Sequence, residues 1–162
     1  MQPVLILELL ILISVANGTP VLAKKILGDV LSYPIDGGAL LPDGRPLFGP
    51  SKTIRGLVLS FLITPLAAVF LGFPWQLGLL IAGAVIAGDL LSSFVKRRIG
   101  LSPSSRAIGL DQIPESLFPL LASRWLLPVT FLDVVIGVAI FWAAAPILSR
   151  LFFHLRLRDQ PY

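Results

Sequence analysis

The chain of 162 residues is 56% hydrophobic and only 14% charged, with a mean hydropathy of +0.89. A water-soluble domain needs about a quarter of its residues charged to cover its surface, so the composition excludes one and predicts an all-α integral membrane protein. The sequence has no cysteine and a single histidine, His154. Disulfides, thiolate chemistry and a histidine metal cluster are therefore excluded, and carboxylates, lysines and arginines remain for metal or phosphate chemistry.

Five apolar segments are predicted to cross the membrane, because about 18 or more apolar residues in a helix span a hydrocarbon core of ~30 Å. They form one membrane domain, residues 1–162, and the fourth is the shortest. The first is expected to be broken near its inner end, where Asn17-Gly18-Thr19-Pro20 interrupts the apolar run. The segments are residues 2–23, 56–71, 76–95, 113–127 and 129–152, and the long connecting loops are residues 24–55 and 96–112.

The distribution of lysine and arginine predicts the orientation, since cytoplasmic loops are enriched in these residues. Five spans with the N-terminus outside and the C-terminus inside place all the basic segments in the cytoplasm, whereas four or six would divide them. We therefore expect a multi-pass protein of the inner (cytoplasmic) membrane, whose net charge of +4 reflects orientation and no nucleic-acid partner. The basic residues of these segments are Lys24, Lys25, Arg45, Lys52 and Arg55, then Lys96, Arg97, Arg98 and Arg106, and finally Arg150, Arg156 and Arg158, while Arg124 alone lies between the fourth and fifth spans.

The first cytoplasmic loop is rich in glycine and ends in a cationic segment. Glycines let the backbone approach a ligand closely and present N–H groups to an anion. Lys52, Thr53 and Arg55 follow at the start of the second span, where unpaired helix N–H groups favour phosphate. A turn-rich connector that carries orientation charges explains this stretch equally well. A Walker A loop is excluded, because its glycine-lysine-serine/threonine ending is absent.

An acid inside the third span gives the sharpest signal. Asp89 lies in an apolar helix, where a carboxylate is costly and marks function by default. On that helix it shares a face with Ser92 or Ser93 and with Lys96. Asp111 follows in the sequence and is expected near the cytoplasmic surface of the membrane, where the third span ends. Two acids among lysines and arginines are what divalent-metal phosphoryl chemistry needs, because hard oxygens hold Mg²⁺ while the cations neutralise phosphates.

The sequence leaves more than one role open for these acids. Asp89 can form a structural salt bridge with a neighbouring cation, and Asp111 can merely cap the fourth span. Glu8, the other intramembrane acid, can pair with a polar group of another span or line a lipid pocket. Asp133 and Arg124 are expected to form a structural pair. The alternative function is a small transporter or channel that uses Glu8 and Asp89.

Several motifs together resemble the CDP-archaeol synthase family, which is related to the phosphatidate cytidylyltransferases. They cover the inner half of nearly the whole chain. The resemblance implies a five-span, CTP-dependent nucleotidyltransferase of phospholipid biosynthesis that transfers CMP from CTP to a lipid phosphatidic acid and releases pyrophosphate with Mg²⁺. The motifs are Ala16-Asn17-Gly18-Thr19-Pro20, Pro34-Ile35-Asp36-Gly37-Gly38, Asp43-Gly44-Arg45, Gly49-Pro50-Ser51-Lys52-Thr53-Ile54-Arg55-Gly56, Gly88-Asp89-Leu90-Leu91-Ser92-Ser93-Phe94-Val95-Lys96-Arg97-Arg98 and Gly109-Leu110-Asp111-Gln112-Ile113-Pro114-Glu115-Ser116.

The resemblance also implies roles for individual residues. Asp89, Asp111 and Lys96 are expected to be catalytic, with the two aspartates holding Mg²⁺. Lys96, Arg97 and Arg98 would shield the lipid phosphate, while Lys52 and Arg55 would hold the triphosphate. No general base is needed, since the attacking phosphate oxygen is already ionised near neutral pH. The residues expected to bind the substrates are Lys52, Thr53, Arg55, Ser92, Ser93, Arg97, Arg98, Asn17 and Asp36.

The motifs depart from the family at two points. Gly49-Pro50-Ser51-Lys52 stands where archaeal members are expected to have glycine-aspartate-glycine-lysine, so one acidic ligand is missing. Asp43-Gly44-Arg45-Pro46-Leu47-Phe48 is more similar to bacterial relatives, which predicts a bacterial-type member. An isoprenoid ether lipid and a diacyl phosphatidic acid both fit an apolar groove. The sequence leaves the oligomeric state open, a homo-oligomer included.

Overall fold

A computed structural model describes residues 2–102, 107 and 109–154. Within these residues the regular elements are five α-helices, and the only β-pairing described is two isolated bridges, Pro34 with Thr53 and Leu40 with Pro46. The predicted all-α fold class is confirmed. Arg106, Arg156 and Arg158 lie outside the described residues. The helices are α1 (Pro3–Leu27), α2 (Ile54–Phe70), α3 (Trp75–Arg98), α4 (Gln112–Ser123) and α5 (Phe131–His154).

Three of these helices, α1, α3 and α5, are long and apolar enough to cross a membrane. The 17 residues of α2 extend over about 26 Å, and the 12 residues of α4 over about 18 Å, at ~1.5 Å per residue. By itself α4 is therefore shorter than a hydrocarbon core of ~30 Å. Each predicted span corresponds to one helix, but the crossing of the membrane by α2 and α4 stays a prediction.

Helix α1 is continuous where the sequence predicted a break. Pro20 lies inside it, and it ends only at Leu27, before Gly28 with its φ of 54°. Membrane helices tolerate an interior proline when neighbouring helices and Ser or Thr side chains support the freed backbone. Here Thr19 Oγ1 donates to Val15 O at 2.7 Å, and α2 packs against the proline at Gly56. The predicted break was wrong for this reason.

From α1 to α4, each helix meets the next where a glycine of one lies against a proline of the other. At Gly88, an added Cβ would lie only 2.4 Å from the carbonyl oxygen of Pro114. Backbones come this close only where small residues line the contact, as membrane helices commonly arrange. The close approach of α3 and α4 brings their polar residues to one place. The pairs are Gly56 with Pro20, Gly78 with Pro65 and Gly88 with Pro114.

The first residues of α1 and α5 lie together at one end of the bundle. The main-chain nitrogen of Gln2 donates to Asp133 at 3.2 Å, and its side chain donates to Pro128 O at 3.3 Å. The other Asp133 oxygen accepts from the main-chain N–H and the hydroxyl of Thr130, at 3.0 and 2.7 Å. The segments that carry Lys24, Lys52 and Lys96 therefore gather at the opposite end.

Arg124 does not pair with Asp133. Its Nε donates to Val129 O at 3.1 Å, and its guanidinium lies 3.5 Å from the ring centroid of Phe131. The predicted pair of Asp133 and Arg124 was wrong, because Arg124 contacts Val129 and Phe131 in the turn before α5, whereas Asp133 accepts from Thr130 and from the main chain of Gln2. Arg124 stabilises that turn by binding a carbonyl and an aromatic face.

Candidate active site

A cavity of about 800 Å³ lies at the lysine-rich end of the bundle. All five helices and the loop between α1 and α2 contribute to its wall. Part of the wall is apolar, with Ala16, Val85 and Leu90 among the contributors, and the rest is charged. Most of the predicted site residues line this cavity: Asn17, Lys52, Thr53, Arg55, Asp89, Ser93, Lys96, Arg97 and Asp111.

Asp89 forms an ion pair with Lys52, and Lys52 Nζ lies 2.5 Å from Asp89 Oδ1. The pair joins α3 to the end of the preceding loop, 37 residues earlier. Burial by itself lowers the pKa of Lys52, but the attraction and hydrogen bond of Asp89, helped by Glu115 and Asp111, raise that pKa above its ordinary value. Lys52 is therefore a cation at neutral pH. The salt bridge that the sequence left open for Asp89 exists, and it is made with a distant segment.

Asp111 forms the second ion pair of the cavity, with Lys96 Nζ 2.7 Å from its Oδ1. Its other oxygen accepts from the main-chain N–H of Ala107 at 3.2 Å. Asp111 occupies the N-cap position of α4 but makes no capping hydrogen bond with its side chain. Its φ of −79° and ψ of −54° are already helical, whereas a capping residue has extended backbone. The predicted capping role is therefore wrong.

Glu115 is a further carboxylate at the cavity, to which the sequence analysis gave no role. It lines the cavity close to Asp89. It follows Asp111 by four residues, so the two acids lie on one face of α4. That spacing, at the start of an apolar helix, was the signal available in the sequence. Among the described residues, however, no three carboxylate or histidine side chains form a group that could hold a metal ion.

The serines of α3 have different surroundings. Ser93 is buried and lines the cavity. Ser92 is buried outside the lining, and its Oγ lies 2.9 Å from Gly88 O and 2.7 Å from Leu110 O. The Ser92 hydroxyl thus links α3 to the residues just before α4. Substrate binding by Ser92 stays a prediction that its position does not favour.

Arg55 and Asp36 hold the loop that carries Lys52. Arg55 is buried, and its Nη1 donates to Gly28 O at 2.9 Å and to Val30 O at 2.5 Å. Asp36 lies outside the cavity lining and accepts from the main-chain N–H groups of Phe48 and Gly49, at 2.9 and 3.1 Å, and of Gly38, at 3.0 Å. Both residues were predicted to bind substrate, and both bind the main chain of the loop.

The remaining predicted residues divide between the cavity and its surroundings. Asn17 lines the cavity, and its buried Nδ2 has no hydrogen-bond partner in the described part of the chain. Thr53 lines it too and caps α2 by accepting from Gly56 N at 3.3 Å. Arg97 contributes to the wall while its Nη2 donates to Ser102 O at 2.8 Å. Arg98 is outside the lining.

Comparison with known proteins identifies the family. The family model described as CarS-like, CDP-archaeol synthase, matches residues 4–162. The chain belongs to the CDP-archaeol synthase family. A relative of that name from Thermococcus onnurineus is 37% identical over 147 residues, 80% of this chain and 81% of the relative. Another, from Pyrobaculum islandicum, is 30% identical over 157 residues, 91% of this chain and 92% of the relative.

A solved structure described as an intramembrane enzyme for archaeal membrane lipids biosynthesis shares this fold. Its TM-score is 0.65 at 32% sequence identity, covering 92% of this chain and 89% of the other. The resemblance found in the sequence is confirmed, and the protein is a membrane-embedded cytidylyltransferase of lipid biosynthesis. No comparison supports the transporter or channel, and Glu8 does not line the cavity that holds Asp89. The bacterial-type assignment stays a prediction.

Proposed function

We propose that the protein transfers the CMP group of CTP to the phosphate of an isoprenoid ether lipid at this cavity. An oxygen of the lipid phosphate bonds to the α-phosphorus of CTP, the bond from that phosphorus to the bridging oxygen breaks, and pyrophosphate leaves. The observation that carries the proposal is the presence of two aspartate–lysine pairs, Asp89 with Lys52 and Asp111 with Lys96, in one cavity with an apolar wall. The names of the relatives support the choice of substrates.

The charges of the cavity suit a reaction between two anions. The lipid phosphate and the triphosphate repel each other, and cations placed between them lower the cost of bringing them together. Lys52, Lys96 and Arg97 all line the cavity and can shield the phosphates. The apolar wall beside them can hold the first carbons of the lipid chains while the phosphate reaches the cations.

The donor set fits Mg²⁺. This ion prefers hard oxygen ligands, and phosphate-binding sites commonly hold it with one or two carboxylates, waters and substrate phosphates. Asp89 and Asp111 would hold it here, with waters and substrate phosphates as the other ligands. When bound, Mg²⁺ would neutralise the charge that develops on the leaving pyrophosphate.

We also propose that the cavity faces the cytoplasm, where CTP is made available to the enzyme. The support is that the basic segments lie at the cavity end of the bundle and that such segments favour the cytoplasmic side. The lysines at 24 and 52 come before the second predicted span and Lys96 follows the third, so a single orientation accounts for all three.

A reconstituted assay tests the proposed function. Purified protein is given Mg²⁺, one nucleoside triphosphate and either an isoprenoid ether phosphatidic acid or a diacyl phosphatidic acid, and the lipid-linked nucleotide and pyrophosphate are measured. We expect CTP or dCTP to be used well above ATP and GTP, the ether lipid to be preferred, and chelation of Mg²⁺ to stop the reaction. Equal use of ATP contradicts the nucleotide assignment, preference for the diacyl lipid contradicts the lipid assignment, and no product with either lipid overturns the function.

A further inference from the structure

The loop between α1 and α2, residues 28–53, lies with its tip against the last turn of α3. The tip is a narrow turn in which Leu41 N donates to Arg45 O at 2.9 Å, and Leu40 and Pro46 form an isolated bridge. Arg98, the last residue of α3, was expected to shield the lipid phosphate. The structure instead directs its side chain toward this tip and away from the cavity.

Two arginines bind each other's main chain at this contact. Arg98 Nη1 lies 2.5 Å from Asp43 Oδ2, and its Nη2 donates to Pro46 O at 2.6 Å and to Arg45 O at 3.3 Å. In return, Arg45 Nη1 donates to the carbonyl oxygens of Arg97 and Arg98. We call the contacts of Arg45, Asp43 and Arg98 the arginine clamp.

Physical chemistry favours arginine on both sides of the clamp. The last carbonyl groups of a helix have no partner within the helix and carry partial negative charge that attracts a cation, which explains the position of Arg45. A guanidinium has several donors in a rigid plane, so Arg98 can bind a carboxylate and two carbonyls at once. The clamp therefore fixes both the distance and the direction of the tip relative to α3.

The position of the tip is transmitted to Lys52. Asp36 accepts from the main chain of Phe48 and Gly49, so the segment that leads from the loop tip to α2 is bound to the segment that leads from α1 to the tip. Lys52 belongs to the segment that leads to α2. Its main-chain N–H donates to Gly49 O at 3.3 Å, and its carbonyl accepts from Ile35 N at 2.8 Å. The loop thus behaves as one body, and its placement on α3 determines where the Lys52 ammonium meets Asp89.

We propose that Arg98 and Arg45 are positioning residues, which hold the loop on α3 so that Lys52 reaches Asp89 in the cavity. Neither guanidinium binds phosphate in this assignment. The kinetic consequence rests on the proposed function, because it is the transfer reaction that would report a displaced Lys52. The structural consequence, a loosened loop tip, does not depend on any activity.

A double-mutant cycle separates positioning from phosphate binding. We expect Arg98→Ala and Asp43→Ala each to lower kcat/KM for CTP by about tenfold, which corresponds to the middle of the range of interaction energies measured between side chains in contact. The double variant should lose little more than the worse single variant, because both substitutions remove the same contact. Arg98→Lys should recover only part of the loss, because an ammonium lacks the planar fork. Arg150→Ala, which removes an exposed arginine of α5, is the matched control and should behave as wild type. If Arg98 bound phosphate, Asp43→Ala would leave kcat/KM unchanged or raise it, and the proposal would be overturned.

A distance measurement tests the clamp without any substrate. The chain has no cysteine, so spin labels can be placed at Leu40→Cys in the loop and Ile26→Cys at the end of α1, where the native side chains are 65% and 78% exposed. We expect a narrow distance distribution in the parent and in Arg150→Ala, and a broad one in Arg98→Ala and in Asp43→Ala. An unchanged distribution in Arg98→Ala refutes the clamp even if the enzyme is active. A broadened one supports it even if CTP is not the substrate.

Discussion

At the scale of single residues, Asp89 and Asp111 each form an ion pair with a lysine of the cavity. Lys52 is influenced by Glu115 and Asp111 as well as by Asp89. Removing the charge of Asp89 therefore leaves Lys52 close to Glu115 and Asp111. Neutralising a carboxylate in a membrane helix also relieves part of its desolvation cost. A neutral amide at position 89 should for these reasons be tolerated by the fold.

Asp89→Asn is expected to lower turnover by about two orders of magnitude or more, the size of losing a major electrostatic partner of the transition state. Asp111→Asn should behave similarly, and the double variant should lose little beyond the worse single one, because groups that act as a unit are not additive. The measurement is specific activity together with purified yield for each variant. Glu8→Gln is the matched control, since Glu8 is an acid of α1 outside the cavity lining, and it should keep wild-type turnover.

A purely structural role for Asp89 makes the opposite prediction. In that case Asp89→Asn would express poorly or melt at a lower temperature, while the protein that does fold would turn over at the normal rate. A stable Asp89→Asn protein with wild-type turnover would remove Asp89 from the proposed Mg²⁺ site.

At the scale of helices and loops, the contact between α3 and α4 determines how near the two aspartates lie. Gly88 precedes Asp89 and lies against the main chain of Pro114, close to Glu115. Because the neighbouring atoms belong to the backbone of another helix, they cannot move aside as a flexible side chain can. Any side chain at position 88 must therefore separate α3 from α4.

Gly88→Ala is expected to lower both thermal stability and turnover, because an added Cβ would lie 2.4 Å from Pro114 O and 2.6 Å from Pro114 C. Overpacking of this kind costs about 1–3 kcal/mol. Gly83→Ala is the matched control on the same helix, since its Cβ would meet only the Phe61 ring at 3.5 Å. Thermal unfolding and specific activity are measured for both variants. Equal thermal stability and activity of the two variants would show that a Cβ at position 88 fits between α3 and α4, contrary to the distances in the structure.

The carboxyl group of Asp36, in the loop between α1 and α2, makes the stability of the protein depend on pH. Burial raises the pKa of Asp36, but the main-chain N–H groups of Phe48, Gly49 and Gly38 outweigh it and lower that pKa below its ordinary value. A carboxyl group with a lowered pKa in the folded state stabilises the protein above its unfolded pKa, and this stabilisation is lost as the pH falls through the folded pKa. Asp36→Asn should therefore have a lower Tm than wild type near pH 7, and the difference should shrink below about pH 4. A Tm difference independent of pH would contradict this role of the charge.

At the scale of the whole molecule, the arrangement of the helix ends makes the orientation testable. Ser51 lies at the cavity end, whereas Gln76 is exposed in the first turn of α3, just after the turn that follows α2. In a chain without native cysteines, Gln76→Cys should react with a membrane-impermeant maleimide applied to intact cells. Ser51→Cys should react only after the membrane is opened. Labelling of Ser51→Cys from outside would overturn the predicted orientation. Ser104 was predicted to face the same side as Ser51, and it lies outside the described residues.

The helices could be predicted from the sequence because hydropathy depends on composition alone. The predicted break at Pro20 failed because the support comes from a neighbouring helix. The carboxylates at 89 and 111 could be predicted as functional because an acid is costly in an apolar segment wherever it packs. The roles of Arg98 and Asp36 could not, since a loop side chain binds whichever main-chain groups the tertiary structure brings to it. Glu115 belongs to one of the motifs, but its place beside Asp89 could not be predicted, because the two residues are distant in sequence and meet only in the tertiary structure.

The arginine clamp also has a consequence for how the protein is made. Asp43 and Arg98 are 55 residues apart, and Lys52 and Asp89 are 37 apart. A ribosome delivers the chain from its N-terminus, so the first loop is synthesised well before either of its partners in α3. Until α3 has been inserted to its last turn, the contacts that hold the loop tip on α3 cannot form. The proposed active-site cavity is therefore completed late in biogenesis, and in a nascent chain that stops before Arg98 the tip of the first loop lacks its partner on α3.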